Sequence, residues 1–290
     1  MTVARPLLLL LLAVIPLWLW WRRRRGPSVR LADGSRFDAR RGVVADVHIR
    51  QLVEMVGEDA LGPAFSGRVR RMRDNNVAAF VIHAAMSEAP RYRAAALDGC
   101  FSVEVSPTME QVVTHFDEIR RGMIPRGPSA SPLLKCNSVL DPSRAPAGKQ
   151  VGYFYSFMPY ELRNGGSWDQ VRDEVTDSVL DTVREEAPNL SREKILSHRT
   201  LTPLDLERMN SSFIRGQINH FPMVLYQMLS LRPFPGWGGF RTPVGGLYLI
   251  GPSSSSGGGV TGGARSAAYT VLQDLGFENP DAILGAATSA

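Results

Sequence analysis

The sequence predicts a mixed α/β fold, and three patterns carry this prediction. Short runs rich in β-branched and aromatic residues alternate with longer stretches of helical periodicity. Two of the helical stretches begin with capping-box patterns, at Thr108 and Ser167. Near the C-terminus, a short apolar strand is followed by a loop of glycine, proline and serine and then by a helix. The 290 residues are enough for one large domain or two small ones.

The composition suits a globular protein and argues against nucleic-acid binding. Hydrophobic residues make up 44% of the chain, which supports a substantial core. The net charge of +5 comes entirely from Arg5 and Arg22–Arg25, so the rest of the chain is formally neutral and no basic patch is expected. Cys100 and Cys136 are isolated, which disfavours a disulfide framework or a zinc site. We expect both to be small buried apolar residues.

Residues 1–27 form a separate leader. Pro6 to Trp21 is an uninterrupted apolar run, and the four arginines follow it. The run is slightly shorter than the ~20 residues that cross a bilayer, and the arginines occupy the place of a signal-peptide cleavage site. We interpret the leader as an uncleaved membrane anchor with a cytoplasmic body. The alternative is a leader joined to a truncated coding region, with a soluble cytoplasmic body.

The first half of the body contains two strand patterns and a helix. Residues Val29 to Val44 are typical of a hairpin that turns at Asp33-Gly34. A helix is predicted from His48 to Val56, ending at Gly57. The run Val77 to Ala85, rich in valine, isoleucine and phenylalanine, predicts the next strand.

The middle of the chain predicts two longer helices and two further strands. The helices run from Met109 to Arg121 and from Ser167 to about Glu186, each with an apolar stripe. The strands are Leu133 to Ser138 and Val151 to Met158. Alternation places Val151, Tyr153, Tyr155 and Phe157 on one face of the second strand, with Phe154 and Met158 on the other.

The segment from Arg241 to Ala268 is the most informative part of the chain. It predicts a strand over Gly246 to Ile250, a loop of small residues, and a helix that begins near Val260. A loop with so few side chains lets a flat or phosphorylated ligand lie against backbone N–H groups, and a helix N-terminus favours negative charge. The alternative is a flexible linker, as Ser/Gly runs often are.

Several motifs in order resemble the phytoene desaturase-like FAD-dependent amine oxidase and carotenoid desaturase superfamily, in particular its pyridine nucleotide-disulfide oxidoreductase domain-containing branch. The resemblance extends from about Val29 to the C-terminal helix. The motifs are Ser138 to Lys149, Gly166 to Trp168, Thr202 to Arg208, Leu231 to Trp237, and Arg241 to Ala268.

The resemblance implies an α/β domain organisation. Residues 28–62 would be a partial FAD-binding Rossmann-like domain that lacks its N-terminal βαβ unit, and residues 63–235 a mixed-sheet substrate domain with covering helices. Residues 236–290 would be the flavin-contacting motif. The implied flavin contacts are Gly251, Pro252, Gly257, Gly258, Gly259, Val260 and Thr261, although family members more often have a G-T-H-P-like sequence where Pro252 to Ser256 stands.

The glycine fingerprint expected of a dinucleotide-binding unit is not found upstream of Val29. Gly257, Gly259 and Gly262 match G-x-G-x-x-G, but no second strand bearing an acidic residue follows them. We interpret this match as accidental. A partner chain that supplies the dinucleotide-binding half is one way to complete the site.

The remaining chemistry is sparse, and no catalytic residue is nominated. The five histidines lack metal-ligand spacing and no G-x-S-x-G occurs, so a hydrolase is disfavoured. The aromatics Tyr153, Phe154, Tyr155, Phe157, Phe221 and Tyr226 could line a pocket for an apolar substrate, although core packing explains them as well. The predicted function is hydride transfer between an apolar or amine-type substrate and FAD. The alternative is a non-catalytic, membrane-tethered interaction module.

Overall fold

The computed structural model describes residues 28–105, 108–255, 257–258 and 262–286. These residues form two compact units. The first combines the described residues up to Met72 with those from Met223 onwards, and the second is the segment Arg73–Pro222. The predicted mixed α/β fold class is confirmed, whereas the functional domain boundaries at residues 62 and 235 stay predictions.

Four short strands of the first unit form two separate pairs. Strands β1 (Ser28–Arg30) and β2 (Arg36–Asp38) are antiparallel, joined by a turn in which Asp33 Oδ1 accepts from Ser35 N at 2.8 Å. The predicted hairpin is thus present. Strand β3 (Val43–Ala45) pairs in parallel with β9 (Leu247–Leu249), which is distant in sequence.

The helices of the first unit follow those strands. Helix α1 (Ile49–Val56) ends at Gly57, where φ is +89°, as the glycine predicted. Pro63 stands in the first turn of the third helix, where its missing N–H costs nothing. The other helices are α2 (Glu58–Leu61), α3 (Pro63–Arg70), α7 (Gly263–Asp274) and α8 (Pro280–Ala286).

The second unit is built on a five-stranded sheet in the order β5-β6-β7-β4-β8, antiparallel at every pairing. The predicted strand at Leu133 to Ser138 ends early, at Lys135. The reason is Ser138, whose hydroxyl donates to Gln150 Oε1 at 2.6 Å and accepts from Val151 N at 3.0 Å, in a 3₁₀ turn. The strands are β4 (Val77–Met86), β5 (Ser102–Glu104), β6 (Leu133–Lys135), β7 (Gln150–Pro159) and β8 (Ile195–Leu201).

Helix α5 (Trp168–Glu186) covers one face of this sheet. The full capping box at Ser167 and Gln170 is present, as predicted. The apolar stripe of α5 packs against Phe80 and Phe154, and each fully buried side chain of this size contributes about 1.5–3 kcal/mol. Of the two cysteines, Cys136 is buried in this core, whereas Cys100 is only half-buried.

Helices α4 (Met109–Arg120) and α6 (Pro203–Met209) complete the second unit. At α4 the capping box is only half formed. Thr108 Oγ1 accepts from Gln111 N at 3.2 Å, but the Gln111 side chain accepts from the Thr108 hydroxyl rather than from its backbone N–H.

The predicted membrane anchor, residues 6–21, lies outside the described residues. Among the residues that the structure does describe, no helix combines the length and the apolar character that a bilayer crossing requires.

Candidate cofactor site

The parallel pairing of β3 and β9 brings two distant chain segments together. Val43 lies opposite Leu247 and Ala45 opposite Leu249, and Ile250 N donates to Ala45 O at 2.9 Å. The carboxyl ends of both strands therefore meet at one edge, where Asp46 follows β3 and Gly251 follows β9. In open α/β sheets, ligands bind outside the carboxyl ends of the strands.

Gly251 requires glycine because its backbone lies against the Asp46 side chain. Its φ is +72°, a conformation that side-chain-bearing residues rarely adopt. A Cβ built at Gly251 would lie 1.8 Å from Asp46 Oδ1. The turn after β9 is thus pressed directly onto the residue after β3.

Ser253 connects the same turn to the start of α1. Its Oγ accepts from Ile49 N at 3.0 Å, and His48 Nδ1 accepts from Arg50 N at 3.1 Å. Ser253 and Ser254 are both buried. Residues 251–255 are therefore a packed turn that caps α1, and not a solvated linker.

Arg232 holds the other side of this turn. Its side chain is fully buried, with Nε donating to Pro252 O at 2.7 Å and Nη1 to Gln227 O at 3.0 Å. Burial lowers the pKa of Arg232 to about 10, so the guanidinium remains charged at neutral pH. Sequence reasoning missed this residue, because a lone arginine gives no sign that its side chain will be buried.

The segment that carries Arg232 is anchored on α3. The ring of Phe65 meets those of Phe234 and Trp237 edge-on, with centroid distances of 5.3 and 4.9 Å. Arg68 Nη1 donates to Pro235 O at 2.7 Å. The aromatic and proline residues of the Leu231 to Trp237 motif therefore serve to fix Arg232 beside the turn.

Helix α7 is tied to β9 at its C-terminal end. Arg241 donates to both carboxylate oxygens of Asp274 at 2.7 and 2.8 Å, and the Tyr248 hydroxyl donates to Asp274 Oδ2 at 3.1 Å. The hydrogen bond from Arg241 holds the pKa of Asp274 below its usual value. At the other end, no side chain caps the helix at Gly262.

Four of the seven predicted flavin-contacting residues lie within the described chain. Gly251 and Pro252 belong to the 3₁₀ turn Gly251–Ser253. Gly257 is buried with φ +68°, and Gly258 is half-buried. The predicted contacts Gly259, Val260 and Thr261 lie outside the described residues, and α7 begins at Gly263 rather than near Val260.

The aromatic residues singled out from the sequence occupy different environments. Phe154 is in the core against α5, while Tyr153, Tyr155 and Phe157 lie half-buried on the opposite face of the sheet. Phe221 is buried and Tyr226 is exposed, so the structure does not gather all six into one pocket.

The histidines likewise have separate surroundings. His48 caps α1, and His115 is buried beside Ser129 O at 2.5 Å, where desolvation lowers its pKa. Within the described ranges, no group of three or more His, Cys, Asp or Glu residues is placed to hold a metal ion.

Comparisons with known proteins identify relatives among oxidoreductases. The chain is 32% identical over 267 residues to mouse pyridine nucleotide-disulfide oxidoreductase domain-containing protein 2, covering 87% of this chain and 44% of the mouse protein. It is 30% identical over 224 residues to a limonene dehydrogenase polypeptide of Castellaniella defragrans, covering 71% of this chain and 40% of that polypeptide. No protein-family profile matches. The chain thus spans less than half the length of these curated relatives.

A solved oxidoreductase from Methanosarcina mazei aligns with 84% of this chain and 44% of its own, at a TM-score of 0.43 and 15% identity. The sequence matches, by contrast, define a class: the chain is a relative of oxidoreductases. Within that class it is related to the pyridine nucleotide-disulfide oxidoreductase domain-containing proteins, as the motifs predicted.

Proposed function

We propose that this chain carries the flavin-contacting part of an FAD-dependent oxidoreductase, which transfers hydride between an apolar or amine-type substrate and the flavin. One observation supports this function above the others. The parallel pairing of β3 with β9 packs a glycine-rich turn at the carboxyl ends of both strands, against Asp46 and the start of α1.

The residues at this edge fit a flat, electron-rich ring. Gly251, Gly257 and Gly258 present backbone without side chains, and the serines between them point into the protein. The buried Arg232 places a positive charge behind Pro252, which favours an electron-rich or anionic group on the turn. FAD, when bound, would supply the two-electron acceptor. The chain's own residues would bind and orient the ring and exclude water from one side of it.

The experiment that tests this function is a flavin-binding measurement. Purified protein is scanned for absorbance near ~450 nm and then titrated with FAD. We expect Gly257→Val to weaken FAD binding, because a side chain there would occupy the surface of the turn and contact Met223.

Gly276→Val is the matched control, since Gly276 has a similar positive φ but nothing within 4 Å of its Cβ position. Protein that stays colourless with excess FAD, or equal effects of both variants, would count against the proposal.

A second candidate is an interaction module, favoured by one exposed segment of the first unit. Within Met223 to Leu231, Leu225 is 88% exposed and Leu229 is 74% exposed, an unusual amount of accessible apolar surface. A partner chain bearing the dinucleotide-binding half could cover this surface.

Mixing the protein with a recombinant dinucleotide-binding fragment of a full-length relative tests this idea. A stable complex that Leu225→Asp disrupts would favour the interaction module, and the absence of any complex at micromolar concentration would exclude it.

A further inference from the structure

The five-stranded sheet has an outer face, defined as the side opposite α5. Strand register places four polar or charged residues in one row across it: Lys135 on β6, Tyr153 on β7, His83 on β4 and Arg199 on β8. Residues directly opposite each other on antiparallel strands point to the same side. The rings of His83 and Tyr153 meet edge-on at 5.3 Å. This basic row therefore concentrates three cationic or protonatable groups around one tyrosine.

A cavity of about 390 Å³ opens over the basic row. Basic side chains line it, and no carboxylate does. Lys135 has no carboxylate partner among the described residues, while Arg144 Nε contacts Asp141 Oδ2 at 3.1 Å. The lining residues are His83, Lys135, Asn137, Arg144, Val151, Gly152 and Tyr153.

The next row of the outer face is mostly apolar. Two residues further along the strands, about 7 Å away, Leu133 lies opposite Tyr155 and Val81 opposite both Tyr155 and Leu201. Glu104 on the edge strand β5 is the carboxylate of this row and lies beside Leu133. The outer face thus changes from cationic to apolar along the strand direction.

Aromatic rings continue the apolar part as a ladder along β7. The rings of Tyr153 and Tyr155 are nearly parallel with centroids 6.3 Å apart, and Tyr155 meets Phe157 at 5.2 Å. Phe116 of α4 extends the ladder at 5.8 Å from Phe157. An extended hydrocarbon chain could lie along this ladder from the basic row towards α4.

We propose that the outer face binds an amphipathic molecule, with an anionic carboxylate head at Lys135, His83 and Arg144 and an apolar chain along Tyr155 and Phe157. A half-buried lysine with no carboxylate beside it gains most from an anionic ligand, because a charge-assisted hydrogen bond replaces partial desolvation. As a statement about the substrate this rests on the proposed function, but the binding itself requires no flavin.

The alternative is a solvated sheet face with no ligand. A solvated face would show little preference between an acid and its matching alcohol. It would also be equally sensitive to the loss of any surface lysine.

The experiment measures binding of a monomeric long-chain fatty acid to the full chain by calorimetry, below the micelle concentration. The corresponding long-chain alcohol and acetate serve as head and tail controls. We expect the acid to bind more tightly than either one, and Lys135→Met to weaken acid binding about tenfold while leaving alcohol binding unchanged.

Lys194→Met is the matched control, because Lys194 pairs with Glu88 at 3.3 Å and does not line the cavity. Circular dichroism checks that both variants fold. Equal affinity for acid and alcohol, equal effects of the two variants, or binding only to anionic vesicles would each overturn the proposal. A separate FAD titration distinguishes the two failures, since loss of flavin binding with intact acid binding contradicts only the proposed function.

Discussion

Gly251 is the residue where two distant segments approach most closely. Its positive φ and its contact with Asp46 are separate constraints, and the chain offers a variant that isolates each. Gly34 has φ +87° and nothing within 4 Å of its Cβ position, so Gly34→Ala should cost only the left-handed backbone, about 1–2 kcal/mol.

We expect Gly251→Ala to destabilise the protein by clearly more than Gly34→Ala does, as measured by urea unfolding. Adding Asp46→Ala should recover part of the difference, because it removes the clashing carboxylate. Equal losses for the two glycines would show that the approach to Asp46 carries no cost.

Ser253 offers a second test at the scale of one residue. Ser253→Ala removes the buried acceptor of the Ile49 N–H, and a buried donor left without its acceptor costs about 1–3 kcal/mol. Ser255→Ala, two residues along the same turn and only half-buried, is the control and should be nearly neutral. Hydrogen exchange at Ile49 should accelerate in the first variant alone; unchanged exchange would contradict the cap.

Among the elements, α7 depends on a side-chain attachment to β9. Arg241 lowers the pKa of Asp274 in the folded state, so this carboxylate stabilises the protein above its unfolded pKa of about 3.9 and loses that effect as pH falls through the lowered folded value. The pair is partly exposed, which limits the effect to no more than about 1 kcal/mol.

We therefore expect Asp274→Asn to be less stable than the parent at pH 7, with the difference shrinking below pH 4. Thermal unfolding across that range measures it. A difference that persists at pH 3 would mean that packing, and not charge, holds the helix.

Local elements were predictable because their signals are local. The capping box at Ser167, the valine stripe of α5 and the stop at Gly57 each lie within a few residues of what they determine. The strand at Leu133 was predicted too long, since Ser138 turns away to bond with β7, a partner that periodicity does not reveal.

At the scale of the whole molecule, the candidate site depends on pairings that local patterns do not encode. The glycine-rich turn was recognisable from its composition and its resemblance to known motifs. That β9 pairs with β3, that Ser253 caps α1, and that Arg232 is buried behind Pro252 all depend on tertiary contacts between distant segments. Sequence spacing gives no distance for such contacts, so the turn was predicted but its supports were not.

The division into two units leads to one further expectation about folding. The second unit, Arg73–Pro222, is a continuous segment with its own core, whereas the first is made of two separate segments. A segment with its own core can fold alone. We expect the isolated fragment 73–222 to unfold cooperatively in urea.

Trp168 reports this directly, because it is the one tryptophan within that fragment. It is 3% exposed, and its Nε1 donates to Pro159 O at 3.0 Å. Folded fragment should therefore show blue-shifted emission that moves to the red in a single transition, coincident with the loss of circular dichroism. Red-shifted emission in buffer, or a gradual change without a transition, would show that the sheet and α5 need the rest of the chain to fold.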